Sequence, residues 1–383
     1  MTMIPFIDLA AQRQVLGEKI DQAVLNVVNH GGYIMGPEVR QLEADLAAFC
    51  GAKHVVSCAN GTDAIAMVLM AKQLRPGQAV LCPSFTFAAT AEVVAWLGAT
   101  PVFVDVREDT FNIDVASLEA GLKKARASGL EPVGVIPVDL FGLPADYDAV
   151  EEFCQREGLW VLCDAAQGFG ATYKGRKVGT IGFATTTSFF PAKPLGCYGD
   201  GGAIFTDDPD LAAVLRSIRV HGQGSDKYDN VRIGMNGRLD TIQAAVLIEK
   251  LRIFPDEIFA RNRIARRYND LLKDFAIVPD VPEGLTSIWA QYTIRVPGFD
   301  RDVFQANLKA AGVPTAVYYP KPLHQQTAYR HYPVAGNGLP ASDRLAGEVV
   351  SLPMHPYITE DVQDRVVQAV KDALHQQRKA AAE

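Results

Sequence analysis

The chain has 383 residues, 48% of them hydrophobic and 21% charged, with a formal net charge of −7. This is an ordinary globular composition, which excludes disorder, and the acidic balance offers no field for nucleic acid or a membrane surface. Such a length exceeds one core and predicts a large domain with N-terminal helices over residues 1–250, then a linker helix and a small α+β domain over 251–383.

Six scattered cysteines (Cys50, Cys58, Cys82, Cys154, Cys163, Cys197) form no C-x-x-C pair and read as reduced core residues. The opening Met1-Thr2-Met3-Ile4-Pro5-Phe6-Ile7-Asp8 has neither a basic region nor a long apolar run, so the expected location is the cytoplasm. Apolar residues at helical spacing (Leu9, Val15, Ile20, Ala23, Val24, Val27) predict a helix over 9–29 that breaks at Gly31-Gly32. Pro37 suits a first turn and opens a second helix to about Phe49. A short strand, Val55 to Cys58, runs into Asn60-Gly61-Thr62-Asp63 and a helix from Ala64 to Leu74. That turn offers backbone amides and the Thr62 hydroxyl to an anion, although taken alone it is equally an N-capped turn.

From here strands (79–82, 101–105, 133–138, 159–163) alternate with helices (87–97, 115–127, 147–157). The pattern is that of a mostly parallel sheet covered on both faces, an α/β fold. In Pro83-Ser84-Phe85-Thr86-Phe87 two aromatics follow a strand end, suited either to stacking on a planar ring or to core packing. Asp164-Ala165-Ala166-Gln167 follows strand 159–163 at its C-terminal end, where ligands bind in open sheets.

Two more strands, Thr185 to Phe190 and Gly202 to Thr206, precede a helix near 209–218. Between these strands Lys193 is set between Pro191 and Pro194, which bias the backbone away from helix, so the amine projects from a fixed loop. A strand-end aspartate and a lysine on a neighbouring exit loop are what pyridoxal phosphate requires: an amine to carry it and a carboxylate for its pyridinium nitrogen. Ser188, five positions before Lys193, is a second candidate for the phosphate, and Gln167 is one for the phenolic oxygen. Helices from Arg238 to Leu251 and from Pro255 to Phe275 then lead into the small domain. There a strand over Tyr292 to Val296, a helix over 301–311, a strand at Val317-Tyr318-Tyr319 and a last helix from Thr359 to His375 are expected, with a frayed tail from Gln376 to Glu383.

Six segments in this order resemble the DegT/StrS family of pyridoxal phosphate-dependent nucleotide-sugar aminotransferases, over essentially the whole chain. They are Gly32 to Val39, Asn60 to Ala64, Asp164 to Gln167, Ser188 to Gly196, Gly199 to Ala203, and Asn236-Gly237-Arg238-Leu239-Asp240. The resemblance implies the fold of the aspartate aminotransferase class (fold type I) and a homodimer whose active sites are shared across the interface. It implies that Lys193 carries the cofactor, Asp164 holds the pyridinium proton and Gln167 bonds the phenolic oxygen. Gly61, Thr62 and Ser188 would bind the phosphate, and Phe87 would stack on the ring. Asn236 would reach the partner subunit's phosphate and Arg238 its substrate. The donor implied is glutamate, leaving as 2-oxoglutarate, and the acceptor is a keto-sugar nucleotide.

Within the family, Ser188 to Thr206 and Ala311 to Pro320 are most similar to bacterial enzymes aminating UDP-2-acetamido-2-deoxy-3-oxo-glucuronate, a reaction of surface polysaccharide and O-antigen synthesis. Tyr318, Tyr319, Lys321 and His324 join Arg238 as candidate substrate contacts. Lys321 and Arg238 suit a carboxylate or a diphosphate, and Lys321 reads equally as a solvated loop lysine. Amination at C3 or C4 of a dTDP- or GDP-linked keto-6-deoxysugar stays open, as does a non-catalytic regulatory or binding protein of the same fold. Dehydratases of the family carry histidine at the cofactor-lysine position, which Lys193 argues against. A nicotinamide oxidoreductase would need an early G-x-G-x-x-G turn, and none is present.

Overall fold

The computed structural model describes residues 4–226 and 228–382, so Met1 to Met3 of the opening segment and Glu383 of the tail lie outside the described residues. Two helices, α1 (Leu9–Leu16) and α2 (Glu18–His30), stand where one was expected. Gly17 separates them at φ 58°, a backbone conformation its missing Cβ permits. Next come α3 (Pro37–Cys50), β1 (His54–Cys58), α4 (Gly61–Ala71), β2 (Gln78–Pro83), α5 (Ala89–Trp96) and β3 (Thr100–Val104). The alternation continues through α6 (Val115–Ala127), β4 (Glu131–Val135), α7 (Tyr147–Glu157) and β5 (Trp160–Asp164). An unforeseen hairpin, β6 (Thr172–Tyr173) and β7 (Arg176–Lys177), precedes β8 (Ala184–Ser188), β9 (Gly202–Thr206) and α8 (Pro209–Ile218).

Seven strands form one sheet in the order β1-β9-β8-β5-β4-β2-β3. From β8 to β3 all neighbours are parallel, and β9 runs antiparallel to both β8 and β1. The period of two along each strand sorts its side chains between the faces. Val80, Cys82, Leu162 and Ile204 pack with α4, α5 and α8, whereas Leu81, Val135, Val161 and Cys163 pack with α6 and α7. With both faces covered, the strand ends and the loops leaving them are where a ligand reaches the sheet. All six cysteines are free and buried, and no described helix is long and apolar enough to cross a membrane.

Where two helices were expected, α9 (Thr241–Leu272) is continuous through Pro255. The proline lies on the exposed side, while Phe254 and Glu257 beside it are buried, so packing of both halves holds the helix across the missing amide. The first half of α9 packs in one core with α3 and β9; its second half enters another with β11 (Tyr292–Arg295), α10 (Arg301–Ala310), β12 (Val349–Leu352) and α12 (Glu360–Ala382). Three further short elements went unread: β10 (Leu285–Thr286), which pairs with β6, α11 (Pro340–Glu348), and β12, which pairs antiparallel with β11. Continuing to Ala382, α12 makes a helix of the segment expected to fray. The expected strand at Val317 to Tyr319 is absent; Ala316 alone bridges Ser351, and the Tyr319 ring turns instead towards Phe85 and Phe87.

Residues 323–339 then return to the large sheet, where Leu323, Ala335 and Leu339 enter the core beneath β3 and β4. Val334 bridges Phe103 of β3: the Phe103 amide donates to the Pro333 carbonyl (2.9 Å) and its carbonyl accepts from the Ala335 amide (2.8 Å). The outer edge of the sheet is thereby covered by late sequence.

Candidate active site

Asp164 ends β5 and is buried. One carboxylate oxygen accepts from the Thr90 hydroxyl (2.8 Å) and the other from the Ala166 amide (3.1 Å). Burial raises its pKa above the usual carboxylate value, against the opposing pull of those two donors and of the Lys193 charge. Sequence reasoning missed Thr90. Its signal was a lone hydroxyl among the apolar Ala89, Ala91, Val93 and Val94, all of them buried with it, whereas Glu92 of the same turn is not.

Lys193 sits on the loop joining β8 to β9, and backbone hydrogen bonds close that loop on itself. The Lys193 amide donates to the Phe190 carbonyl (2.8 Å), Cys197 to Phe189 (2.8 Å) and Phe189 to Gly201 (2.7 Å). Gly196 is wedged against the rising limb: a Cβ there would stand 2.6 Å from the carbonyl oxygens of both Phe190 and Pro191. Burial pushes the Lys193 amine down to about 8, with Asp164 opposing the shift. A free-amine fraction is therefore present near neutral pH.

At the start of α4, Asn60 caps the helix by accepting from the Asp63 amide (2.8 Å). The first amides, those of Gly61 and Thr62, have no acceptor within the helix and form its positive end. Gly61 is pressed on Ser188, where a Cβ would lie 2.7 Å from the serine Cβ. Ser188 Oγ accepts from the Phe190 amide (3.3 Å), which leaves its hydrogen to donate. The Gly61 amide and the Ser188 hydroxyl are thus brought together at the helix start, with Thr62 next in the same turn, a place able to hold a phosphate.

Gln167 is oriented from behind, its carbonyl oxygen accepting from the buried Phe141 amide (2.7 Å). Its amide nitrogen lies 3.3 Å from the Tyr319 hydroxyl, and Phe87, 58% exposed, stands with its ring centroid 6.4 Å from that of Tyr319. Tyr318 packs on Tyr319 with centroids 5.8 Å apart, and Lys321 is exposed. His324 does other work: Nδ1 bonds Ser84 Oγ (2.7 Å) and Nε2 pairs with Asp343 (3.1 Å), so both ring nitrogens tie the returning segment down. Asn236 is exposed, one residue from Gly237, whose carbonyl accepts from the Ala59 amide (3.1 Å) beside the Asn60 turn. Arg238 is half-buried, with an Nε that has no partner.

Residues 14–371 match the model of the DegT/DnrJ/EryC1/StrS aminotransferase family. The chain belongs to that family. A UDP-2-acetamido-2-deoxy-3-oxo-D-glucuronate aminotransferase of Pseudomonas aeruginosa is 48% identical over 357 residues, 93% of this chain and 96% of its own. A UDP-N-acetyl-3-dehydro-alpha-D-glucosamine 3-aminotransferase of Acidithiobacillus ferrooxidans is 37% identical over 98% of this chain and 99% of its own. The crystal structure of a family aminotransferase from Brucella abortus, 53% identical, matches with a TM-score of 0.94 over 96% of this chain and 99% of that one. The fold expectation holds, and this family member is an aminotransferase that works with pyridoxal phosphate.

Proposed function

We propose that the enzyme moves the amino group of glutamate to the 3-oxo group of UDP-2-acetamido-2-deoxy-3-oxo-D-glucuronate, acting as a cytoplasmic homodimer in bacterial surface polysaccharide synthesis. The meeting of Lys193, Asp164 and Gln167 beside the Gly61–Ser188 cradle carries the reaction class. The substrate rests on the two relatives above, both named for UDP-linked sugars with an oxo group at C3, which favours UDP over dTDP or GDP and C3 over C4.

The residues fit the cofactor. Asp164 is a buried carboxylate whose raised pKa a facing cation would relieve, Gly61 leaves the space a phosphate needs, and Lys193 is an amine already half-stripped of its proton near pH 8. Bound pyridoxal phosphate supplies an electron sink for the carbon that gains or loses the amino group. Asp164 provides the negative charge that keeps the ring nitrogen protonated, and Thr90 and Ala166 hold that carboxylate in place. Lys193 Nζ would carry the cofactor and, as a free amine, would take up and return the migrating proton. Gln167 would offer its amide nitrogen to the phenolic oxygen, Phe87 its exposed ring to the cofactor ring, and Gly61, Thr62 and Ser188 their amides and hydroxyls to the phosphate. Asn236 and Arg238 would serve the partner's site, and Tyr318, Tyr319 and Lys321 the sugar nucleotide.

Two measurements test this. Borohydride reduction and peptide mapping should place the pyridoxyl group on Lys193, and a label on another lysine would sink the assignment. Incubation with glutamate and a panel of UDP-, dTDP- and GDP-linked 3- and 4-keto sugars should yield a 3-amino UDP-uronate by mass spectrometry and NMR. Turnover of a dTDP or GDP sugar alone would overturn the substrate, and no turnover of any would revive the non-catalytic reading.

A further inference from the structure

We propose that Lys250 is a positioning residue for Lys193: through the Gly196 carbonyl its side chain fixes the loop that aims the reactive amine. This rests on the reading of Lys193 as the cofactor-carrying lysine. Lys250 lies on α9 and is 1% exposed, a placement that strips a charged group of water and that a methionine or leucine would fill without that penalty. Its Nζ donates to the Gly196 carbonyl at 2.6 Å and stands 4.4 Å from the centroid of the Tyr198 ring. Seven residues earlier on the same helix, the side-chain oxygen of Gln243 accepts from the Tyr198 amide at 2.8 Å. Residues seven apart share a helix face, so this face of α9 grips the descending limb of the loop at two points.

The grip reaches Lys193 because the two limbs are wedged together. Gly196 packs so closely on the Phe190 and Pro191 carbonyls that even a Cβ would not fit, and the Lys193 amide is itself bonded to the Phe190 carbonyl (2.8 Å). A displaced Gly196 therefore moves the base of the reactive side chain. Another seven residues along, Glu257 is buried and anchored by the Gln12 amide (2.9 Å) and the Tyr357 hydroxyl. Burial pushes Lys250 down to about 8, with Glu257 opposing, so the negative charge next along this face supports the ammonium. The polar stripe thus joins the reactive loop to α1 and to the segment after β12.

The test uses the holoenzyme with Lys250→Met and Lys250→Arg. Lys250→Met should keep its circular dichroism and its pyridoxyl label on Lys193. Its half-reaction with glutamate should fall by about ten- to a hundredfold, the scale of a misaligned reacting group. The pH midpoint of the bound cofactor's visible absorption should move by about half a unit or more, since the environment of the Lys193 nitrogen changes. KM for the sugar nucleotide should stay within about twofold, and Lys250→Arg should restore most of the rate. A Lys250→Met protein that loses only thermal stability, with unchanged absorption midpoint and half-reaction, overturns the proposal. Should that variant fail to fold, Gln243→Leu loosens the same limb at Tyr198 and must lower the half-reaction and move the midpoint; if it leaves both unchanged, the proposal falls. A wild-type label on any lysine but Lys193 is a different failure, that of the underlying site assignment.

Discussion

Burial shifts Lys193 and Asp164 alike towards their neutral forms, a shift that an opposite charge brought by a ligand would relieve. With its pKa lowered from 10.5 to about 8, the folded-state amine releases its proton at a lower pH than an ordinary lysine does. Capture of pyridoxal phosphate by the apoenzyme should therefore speed up as pH rises through about 8 and level off above it, as followed by absorbance. The same shift has a stability sign. Between about pH 8 and 10.5 the unfolded chain binds the proton that the folded amine has released, so this group's contribution to apoenzyme stability rises with pH across that window. Melts of wild type against Lys193→Met should show it. Asp164 is shifted the other way, towards the neutral acid, so Asp164→Asn should leave apoenzyme stability within about 1 kcal/mol of wild type. The half-reaction with glutamate should fall by about a hundredfold or more, because the fixed charge on the ring nitrogen is gone. An unchanged rate would mean that another group holds the nitrogen. Both residues were legible in the sequence, since each stands at a strand exit. Thr90 and Lys250 were not, because their partners lie 74 and 54 positions away and only the fold brings them into contact.

Among the elements, legibility followed length and monotony of pattern. The alternating strands and helices from β1 to β9 were readable because strands buried on both faces are continuous apolar runs and the helices between them are amphipathic or capped. Four-residue β12 and the two-residue strands carry too few residues for a period to show. At Pro255 a local rule lost to packing, since buried residues on either side keep α9 continuous through the proline. If the start of α4 holds the cofactor phosphate, cofactor affinity turns on that element. Gly61→Ala would drive a methyl to 2.7 Å from the Ser188 Cβ, an overpacking that costs about 1–3 kcal/mol. Pyridoxal phosphate affinity, titrated by fluorescence quenching, should weaken by about tenfold or more, with a lower apoenzyme melting temperature. Undiminished affinity would put the phosphate elsewhere.

At the scale of the whole molecule, the segment from Asn236 to Asp240 lies beside the Asn60 turn with Asn236 exposed, an arrangement suited to a second subunit. Exposed apolar side chains at Leu25, Val28, Tyr33, Ile34 and Tyr198 offer surface for it to cover. If the sites are completed in trans, mixing inactive Lys193→Ala with weakened Arg238→Ala subunits after dissociation should recover activity, because each heterodimer then holds one site free of both changes. Sites built within single chains would recover nothing. The covered edge of the sheet, finally, has a consequence in time. β3 leaves the ribosome long before Pro333 and Ala335, the residues that occupy its outer hydrogen-bonding groups. At ordinary translation speeds the nascent chain carries an unsealed edge for on the order of ten seconds or more. The whole Lys193 loop is synthesised within that interval, so a chaperone that shields that edge would protect the yield of enzyme without touching its chemistry.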